Sequence, residues 1–477
     1  FDLNQTVYSV MSYNNGWLTK PGGAPAGNFY NHGYARTFGT IDIAALQAMY
    51  GTNTTHAGGN DVYSLATANG QGVGYSAIWD TGGTDEIRYD GAADANLDLR
   101  AATLRSEVGG GGYISYSDGV YDGFTIANGV EIENATSGSG NDRLTGNGLA
   151  NTLNAGGGDD TIIAGEGDDW LIGGAGSDAL DGQGGTDTVD YSAEAAGVNV
   201  ALDGSFTNSG AAAGDTLTSI ENVTGTAQDD NLFGDAEGNL LIGGNGNDVL
   251  VGNGGADTLR GGDGFDQLIG TDGGAGDVLD GGGGRNLASY AGAGEAQSVN
   301  LSDRQDSATN SGENTADTWI SITGVIGATN FANTLIGDDG SNDFIGGLQA
   351  DVFYGGGDID AMVGLAGDDL FYGGAGNDVL IAGAGTDTLF GEAGADVFYV
   401  EPGDGENIIA DWVEADDFFL FYQTSLTSWS ELTFLEIDLG AGQVNTEITA
   451  DLLPGVKVTV LGVGEDALDD AGNFFFV

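Results

Sequence analysis

The sequence predicts an all-β chain wound as a parallel β-roll, a solenoid (β-helix) of very short strands, and three observations carry that prediction. From Ser137 to Asp190 the chain repeats in nines without a gap: SGSGNDRLT, GNGLANTLN, AGGGDDTII, AGEGDDWLI, GGAGSDALD, GQGGTDTVD. The sixth position holds Asp142, Asn151, Asp160, Asp169, Asp178 and Asp187, and the eighth is always apolar: Leu144, Leu153, Ile162, Leu171, Leu180, Val189. Glycine gathers at the first, second and fourth positions, where a tight turn calls for positive φ. A disordered glycine-rich linker would share this composition, but it would not hold an apolar residue at every eighth position.

Each unit reads as a turn followed by three residues of strand, whose middle residue points inward and whose neighbours point outward. A turn and a short strand make half a coil, so a full coil takes two units, or eighteen residues. Turns eighteen residues apart then stack on one edge, which sets Asp142 beside Asp160 and Asp169 beside Asp187. Carboxylate oxygens beside converging carbonyls suit Ca²⁺, which takes about six to eight hard oxygen ligands. The pattern resembles the G-G-x-G-x-D-x-U-x repeat of RTX proteins, and the resemblance implies a calcium-bound parallel β-roll.

Composition agrees. The 477 residues include 72 Asp plus Glu against 10 Lys plus Arg, a net charge of −62, with 90 Gly and no Cys. Such an acid excess argues against nucleic acid or an anionic membrane as partner. Many of these acids occupy fixed repeat positions and read as cation ligands; without calcium their repulsion should hold the repeats open. Length alone suggests about three domains. No disulfide is possible, no apolar run of about eighteen residues predicts a membrane span, and no signal peptide is visible.

Residues 1–59 form a segment of another kind. Ser9-Val10-Met11-Ser12-Tyr13 is followed by Thr40-Ile41-Asp42-Ile43-Ala44-Ala45-Leu46-Gln47-Ala48-Met49-Tyr50-Gly51, whose apolar spacing predicts an amphipathic helix stopped by Gly51. Together these resemble the end of the catalytic domain of serralysins, secreted bacterial zinc metalloproteases of the metzincin group (peptidase M10 type). The resemblance implies a small α-containing remnant in which Met11 is the Met-turn methionine and Tyr13 the tyrosine that reaches the metal and steadies the oxyanion. Zinc in this group is held by H-E-x-x-H-x-x-G-x-x-H, upstream of the Met-turn. Here the only histidines, His32 and His56, lie downstream, and no H-E-x-x-H occurs. A catalytic zinc needs three protein ligands and an open position. Zn²⁺ therefore belongs only to a parent protein that contains that helix, and Tyr13 is catalytic only there. The chain by itself is expected to be inactive, and His32, in the polar loop from Asn28 to Tyr34, reads as a loop histidine.

Residues 60–136 read as a bridge of strands, among them Tyr75 to Trp79 and Leu97 to Arg100. Trp79-Asp80-Thr81-Gly82-Gly83-Thr84-Asp85 and the phrase from Ile126 to Ala135 are similar to the serralysin segment that joins protease to first repeats. The first run of nines, 137–190, is followed by a second bridge at 191–224, a second run at 225–289, a third bridge at 290–327 and a third run at 328–399. The second run carries Asp230, Asn239, Asp248, Asp257 and Asp266, then slips by two residues between Gly270 and Asp280. The third carries Asn333, Asn342, Asp351, Asp360, Asp369, Asp378, Asp387 and Asp396. Every sixth-position Asp is a candidate calcium ligand; Asn keeps a carbonyl oxygen but loses the charge, so it should bind more weakly.

The third run has an apolar outer face. Its ninth positions are Ile336, Ile345, Tyr354, Val363, Tyr372, Ile381, Phe390 and Tyr399, whereas the first run has Asn154, Asp181 and Asp190 among its own. Tyr354, Tyr372 and Phe390 should line up and be covered, either by the C-terminal segment or by a second chain. Residues 400–477 turn apolar at Phe418 to Tyr422, Leu432 to Ile437 and Val456 to Leu461, and read as a β-rich cap on the solenoid. The ending Asp469-Asp470-Ala471-Gly472-Asn473-Phe474-Phe475-Phe476-Val477 resembles the uncleaved signal read by type I secretion machinery, and it also reads as a last strand.

Two functions follow. One is the calcium-binding region, with its secretion signal, of a secreted serralysin-like metalloprotease that folds on Ca²⁺ outside the cell. The other is an extracellular structural or adhesive protein that keeps a non-catalytic protease remnant and uses three roll modules as a rod.

Overall fold

The computed structural model describes residues 57–70, 73–103, 112–270, 276–302, 311–312, 316–413, 416–422, 432–440, 443–449, 456–464, 468 and 474–476. Met11, Tyr13, His32, His56, the helix expected at Thr40 to Gly51 and the acidic pair Asp469-Asp470 lie outside them. Among the described residues the structure is almost entirely strand and turn. No helix there is long and apolar enough to cross a membrane. Two compact units emerge, Phe1–Ala227 and Gln228–Val477.

In the first unit, successive strands of the repeats alternate between two parallel sheets. One contains Asn134–Thr136, Thr152–Asn154, Trp170–Ile172, Thr188–Asp190 and Asn222–Thr224; the other contains Ala95–Asp98, Arg143–Thr145, Thr161–Glu166, Ala179–Gly184 and Thr216–Thr218. Each strand pairs with the strand one coil away: Leu144 opposes Ile162 and Ile162 opposes Leu180, while Leu153 opposes Leu171 and Leu171 opposes Val189. These eighth-position side chains are buried. Each withdraws a full aliphatic chain from water, worth about 1.5–3 kcal/mol. The ninth positions face outward, as in Trp170–Ile172, where only Leu171 is buried.

Glycine is required where coils approach. Gly174 and Gly176 have φ of 89° and 153°. A Cβ on them would lie 1.8 and 1.9 Å from the carbonyl oxygens of Gly156 and Gly158, one coil earlier. No side chain fits at that spacing, which is why the turn, and not the strand, fixes the sequence so tightly.

The bridge at 191–224 enlarges the coil: one sheet ends at Thr216–Thr218, and the other is extended by Asn222–Thr224. Asp178 N–H donates to Asp215 Oδ1, 37 residues later, where other coils use eighteen. The extra chain includes Val198–Ala201, whose Val198 and Val200 are buried, paired antiparallel with Ser209–Gly210.

The second unit repeats this plan with longer coils where the sequence slips: Asp257 and Asp277, and Asp266 and Asn286, are partners 20 residues apart. Its third-run core is aromatic, with Phe353 stacked on Phe371 at 4.7 Å. The nines stop after Tyr399, but the sheets continue. Phe418–Phe421 extends the sheet of Val397–Val400 and is itself extended by Phe474–Phe476. Glu406–Ile409 and Lys457–Leu461 extend the other, which ends in the antiparallel strands Gln443–Thr449 and Thr433–Gly440. Strand direction thus reverses at the end of this second sheet, while the first ends in the parallel strand Phe474–Phe476.

Candidate metal centres

The sixth-position residues form ladders along the roll edges. Asp160 Oδ1 accepts the N–H of Asp142 at 2.6 Å, Asp178 Oδ1 that of Asp160 at 2.9 Å, and Asp187 Oδ1 that of Asp169 at 2.8 Å. Each carboxylate thus ties its coil to the one before. Each tie leaves Oδ2 free. In Asp160, Asp169, Asp178, Asp187, Asp248, Asp266, Asp360, Asp369, Asp378 and Asp387, Oδ2 is buried with no hydrogen-bond partner. A bare buried carboxylate oxygen is costly unless something positive meets it.

At Asp178, Asp187, Asp248, Asp266, Asp360, Asp369 and Asp378 a first-position glycine makes room for that oxygen; at Asp160, Asp169 and Asp387 the first position is Ala155, Ala164 and Ala382. A Cβ on Gly173, Gly182, Gly243 or Gly364 would lie 2.2–2.4 Å from Oδ2 of Asp178, Asp187, Asp248 or Asp369 respectively. A recess lined by turn backbone and small residues, holding a carboxylate oxygen, fits a hard cation such as Ca²⁺. Burial raises these groups' affinity for protons, with neighbouring carboxylates adding to it. Asp160, Asp248, Asp360 and Asp369 are pushed up to about 7, and Asp169, Asp178, Asp187 and Asp387 to about 6.

The RTX calcium-binding nonapeptide repeat (4 copies) family matches residues 136–171, 163–193, 218–250, 233–268, 251–288, 328–362 and 363–398. Metalloprotease AprA of Pseudomonas entomophila is 36% identical over 156 residues, and serralysin of Proteus mirabilis 36% over 157. A serralysin of Photorhabdus luminescens is 41% identical over 123 residues. The chain carries RTX calcium-binding repeats and is serralysin-like. The matched stretches cover 31, 31 and 24% of this chain and 30, 28 and 23% of those relatives, so it spans less than a third of their length. The crystal structure of extracellular lipase LipA from Serratia marcescens aligns at 16% identity over 52% of this chain and 40% of that one, with a TM-score of 0.20, too low to bear on the fold.

Within the RTX runs the sixth-position residues fall into two kinds. Interior aspartates expose Oδ2 to the recess, whereas residues at the beginning of a run spend their second polar atom on the protein. The Ser137 hydroxyl donates to Asp142 Oδ2. Asp351 Oδ2 accepts the Gly347 N–H at 2.5 Å. Asn151, Asn239 and Asn342 accept the N–H of the residue four before them at 2.8–2.9 Å, and Asn333 that of Ala328 at 2.9 Å. The asparagines are therefore turn closures more than weakened copies of the aspartate sites. Asp230 and Asp257 stand in the ladder, Asp230 N–H donating to Asp248 and Asp257 Oδ1 accepting from Asn239, and Asp396 Oδ1 accepts the Asp378 N–H at 2.9 Å.

Sequence periodicity missed several ladder members. Asp215, Asp277, Asn286, Asp317 and Asp417 accept N–H groups of ladder residues 20 to 40 residues earlier. Insertions hide them from a count in nines; the signal that remains is an acid or amide just before a resumed strand. A second ladder occupies the fifth position and runs the opposite way: Asp159 Oδ1 accepts from Ser177 N and Asp168 Oδ1 from Thr186 N, at 3.1 and 2.9 Å. The first bridge also gathers Asp61, Asp80 and Asp85, with carboxylate oxygens within 4.8 Å of one another. Asp85 is fully buried with Oδ2 unpartnered. Two acids flanking Gly82-Gly83 were its sequence signal.

The apolar column departs from expectation. Tyr354, Tyr372 and Phe390 do line up, with rings stacked at 5.0 and 4.9 Å. Their burial is incomplete: Tyr354 is 40% exposed, and Tyr372 and Phe390 are half-buried. Each ring covers part of its neighbour one coil away, so the column is partly shielded by its own members.

Proposed function

We propose that this chain is the calcium-folded roll of a secreted serralysin-like metalloprotease, exported unfolded by type I secretion and folded by external Ca²⁺. The observation that carries the reading is the set of bare, buried Oδ2 atoms, seated over a first-position glycine at Asp178, Asp187, Asp248, Asp266, Asp360, Asp369 and Asp378 and over an alanine at Asp160, Asp169 and Asp387. Asp160, Asp169, Asp178, Asp187, Asp248, Asp266, Asp360, Asp369, Asp378 and Asp387 are its principal ligands. Extracellular calcium sites bind at about 10⁻⁴–10⁻³ M, so a low-calcium interior leaves the acidic chain open and the outside closes it. Calcium supplies the positive charge that these oxygens lack; the chain supplies recesses, spacing and a hydrophobic stack that forms once repulsion is lifted.

Circular dichroism in chelator and through a calcium titration tests this. Little β signal in chelator and a cooperative gain near millimolar Ca²⁺ are expected; a chain equally structured in excess chelator rules the reading out. The half-exposed aromatic column favours a second reading, an extracellular structural or adhesive protein assembled through that face. Calcium-saturated sedimentation decides, since a self-associated form is required by the second reading alone.

A further inference from the structure

We propose that Tyr191 and Tyr290 each terminate one of the two calcium ladders of the first and second runs, each hydroxyl taking the carboxylate oxygen that interior coils leave bare, so that Asp215 and Asp317 hold no ion. The inference rests on the calcium reading above and concerns where the arrays stop.

Both aspartates are full members of the ladder. Asp215 Oδ1 accepts the N–H of Asp178 at 2.9 Å, and Asp317 Oδ1 that of Asp277 at 3.0 Å. By the pattern of the interior coils their Oδ2 atoms should be the bare ones. Instead the Tyr191 hydroxyl donates to Asp215 Oδ2 at 3.0 Å and the Tyr290 hydroxyl to Asp317 Oδ2 at 2.8 Å. All four residues are buried. A phenol is protonated at neutral pH, so its O–H satisfies the carboxylate, and its oxygen fills space beside it. A cation and this hydroxyl compete for one lone-pair direction, and a fixed internal donor has no association entropy to lose.

The device is built twice from the same parts. Tyr191 follows the last strand of its run, Thr188–Asp190, and Tyr290 follows Leu287–Ser289. The partner acid comes 24 or 27 residues later, immediately before the strand at which its sheet ends, Thr216–Thr218 or Thr318–Ile320. In the second copy Trp319 Nε1 donates to the Tyr290 oxygen at 2.9 Å, which fixes the phenol's orientation. Each bridge is thus a joint held by side-chain hydrogen bonds, and calcium acts on either side of it.

The test uses the full chain and calcium alone. Bound Ca²⁺ per chain is counted by equilibrium dialysis and elemental analysis for the unsubstituted protein and for Asp178→Asn, Asp215→Asn, Asp317→Asn and Tyr191→Phe, each shown to be folded in saturating calcium by its melting curve. Asp178→Asn should lose at least one ion. Asp215→Asn and Asp317→Asn should bind as many as the unsubstituted chain, because an amide there still accepts the ladder N–H. Tyr191→Phe should lose none, which keeps the test decisive if an aspartate variant fails to fold. Loss of an ion in Asp215→Asn, Asp317→Asn or Tyr191→Phe overturns the inference alone. An unsubstituted chain that takes up no calcium overturns the calcium reading with it.

Discussion

Asp160 Oδ1 accepts the backbone N–H of Asp142 at 2.6 Å across one coil, while its other oxygen, Oδ2, is buried without a partner. One carboxylate thus both stitches coil to coil and faces the recess. Asn151 has no oxygen left for a recess, because its Oδ1 accepts the Asn147 N–H at 2.8 Å and its amide donates to Glu133 O at 2.9 Å. Asp160→Ala should therefore raise the calcium needed for folding severalfold, whereas Asn151→Ala should cost about 1 kcal/mol of stability at saturating calcium with little change in the calcium midpoint. Calcium titrations followed by circular dichroism compare the two, and equal midpoint shifts would refute the division of labour.

Proton and calcium should act in opposite directions with pH. Asp160, Asp248 and Asp360 are raised from an ordinary 3.8 to about 7 by burial and neighbouring carboxylates. Between those values the folded, metal-free chain holds protons that the unfolded chain releases, so its stability is greatest below 3.8 and falls as pH rises through about 7. In chelator, β structure should increase as pH drops from 7.5 to about 4.5. In calcium, protons compete for Oδ2, so the calcium midpoint should move to higher concentration over the same drop. A calcium midpoint independent of pH would mean that these carboxylates are not the ligands.

Much of this was legible in the sequence, and the reason is steric. At Gly176 a Cβ would meet Gly158 O at 1.9 Å, so the coil stacking dictates the residue and the nine-residue period shows through. Leu171 is read just as easily, because it is the single inward position of its three-residue strand. Asp215 and Asp317 were not legible, since their place in the ladder is set by pairing across an insertion and no local spacing encodes it. The exposure of Tyr354 was missed for a different reason: eighteen-residue spacing predicts alignment but not that rings would cover one another.

Gly176→Ala should test the steric account directly. Its φ of 153° and the 1.9 Å approach predict about 1–3 kcal/mol of backbone strain and a similar cost of overpacking. Gly148→Ala, where a Cβ meets nothing within 4 Å, should change stability by no more than about 0.5 kcal/mol. Melting in saturating calcium compares them; similar losses would show that coil approach does not select glycine.

Proteolysis should be absent from the chain as it stands. Its two histidines, His32 and His56, cannot supply H-E-x-x-H. Casein incubated with the chain and added Zn²⁺ should remain intact. Robust cleavage abolished by a zinc chelator would overturn this and would point to a ligand set of another pattern.

The aromatic column yields the last prediction. Tyr372 lies between Tyr354 and Phe390, stacked on both at 5.0 and 4.9 Å. Each stacked pair is worth about 0.5–1.5 kcal/mol beyond its buried area, so Tyr372→Asp should lose about 1–3 kcal/mol in calcium-saturated melting even when nothing else covers the column. Tyr354→Asp removes one stacking partner only, from a ring already 40% exposed, and should lose about half as much. If the face also joins a second copy, both variants should sediment as monomers at concentrations where the unsubstituted chain does not. Equal melting losses for the two variants, with sedimentation unchanged, would mean that ring-on-ring packing contributes nothing and that the column reflects only the preference of aromatic residues for strands.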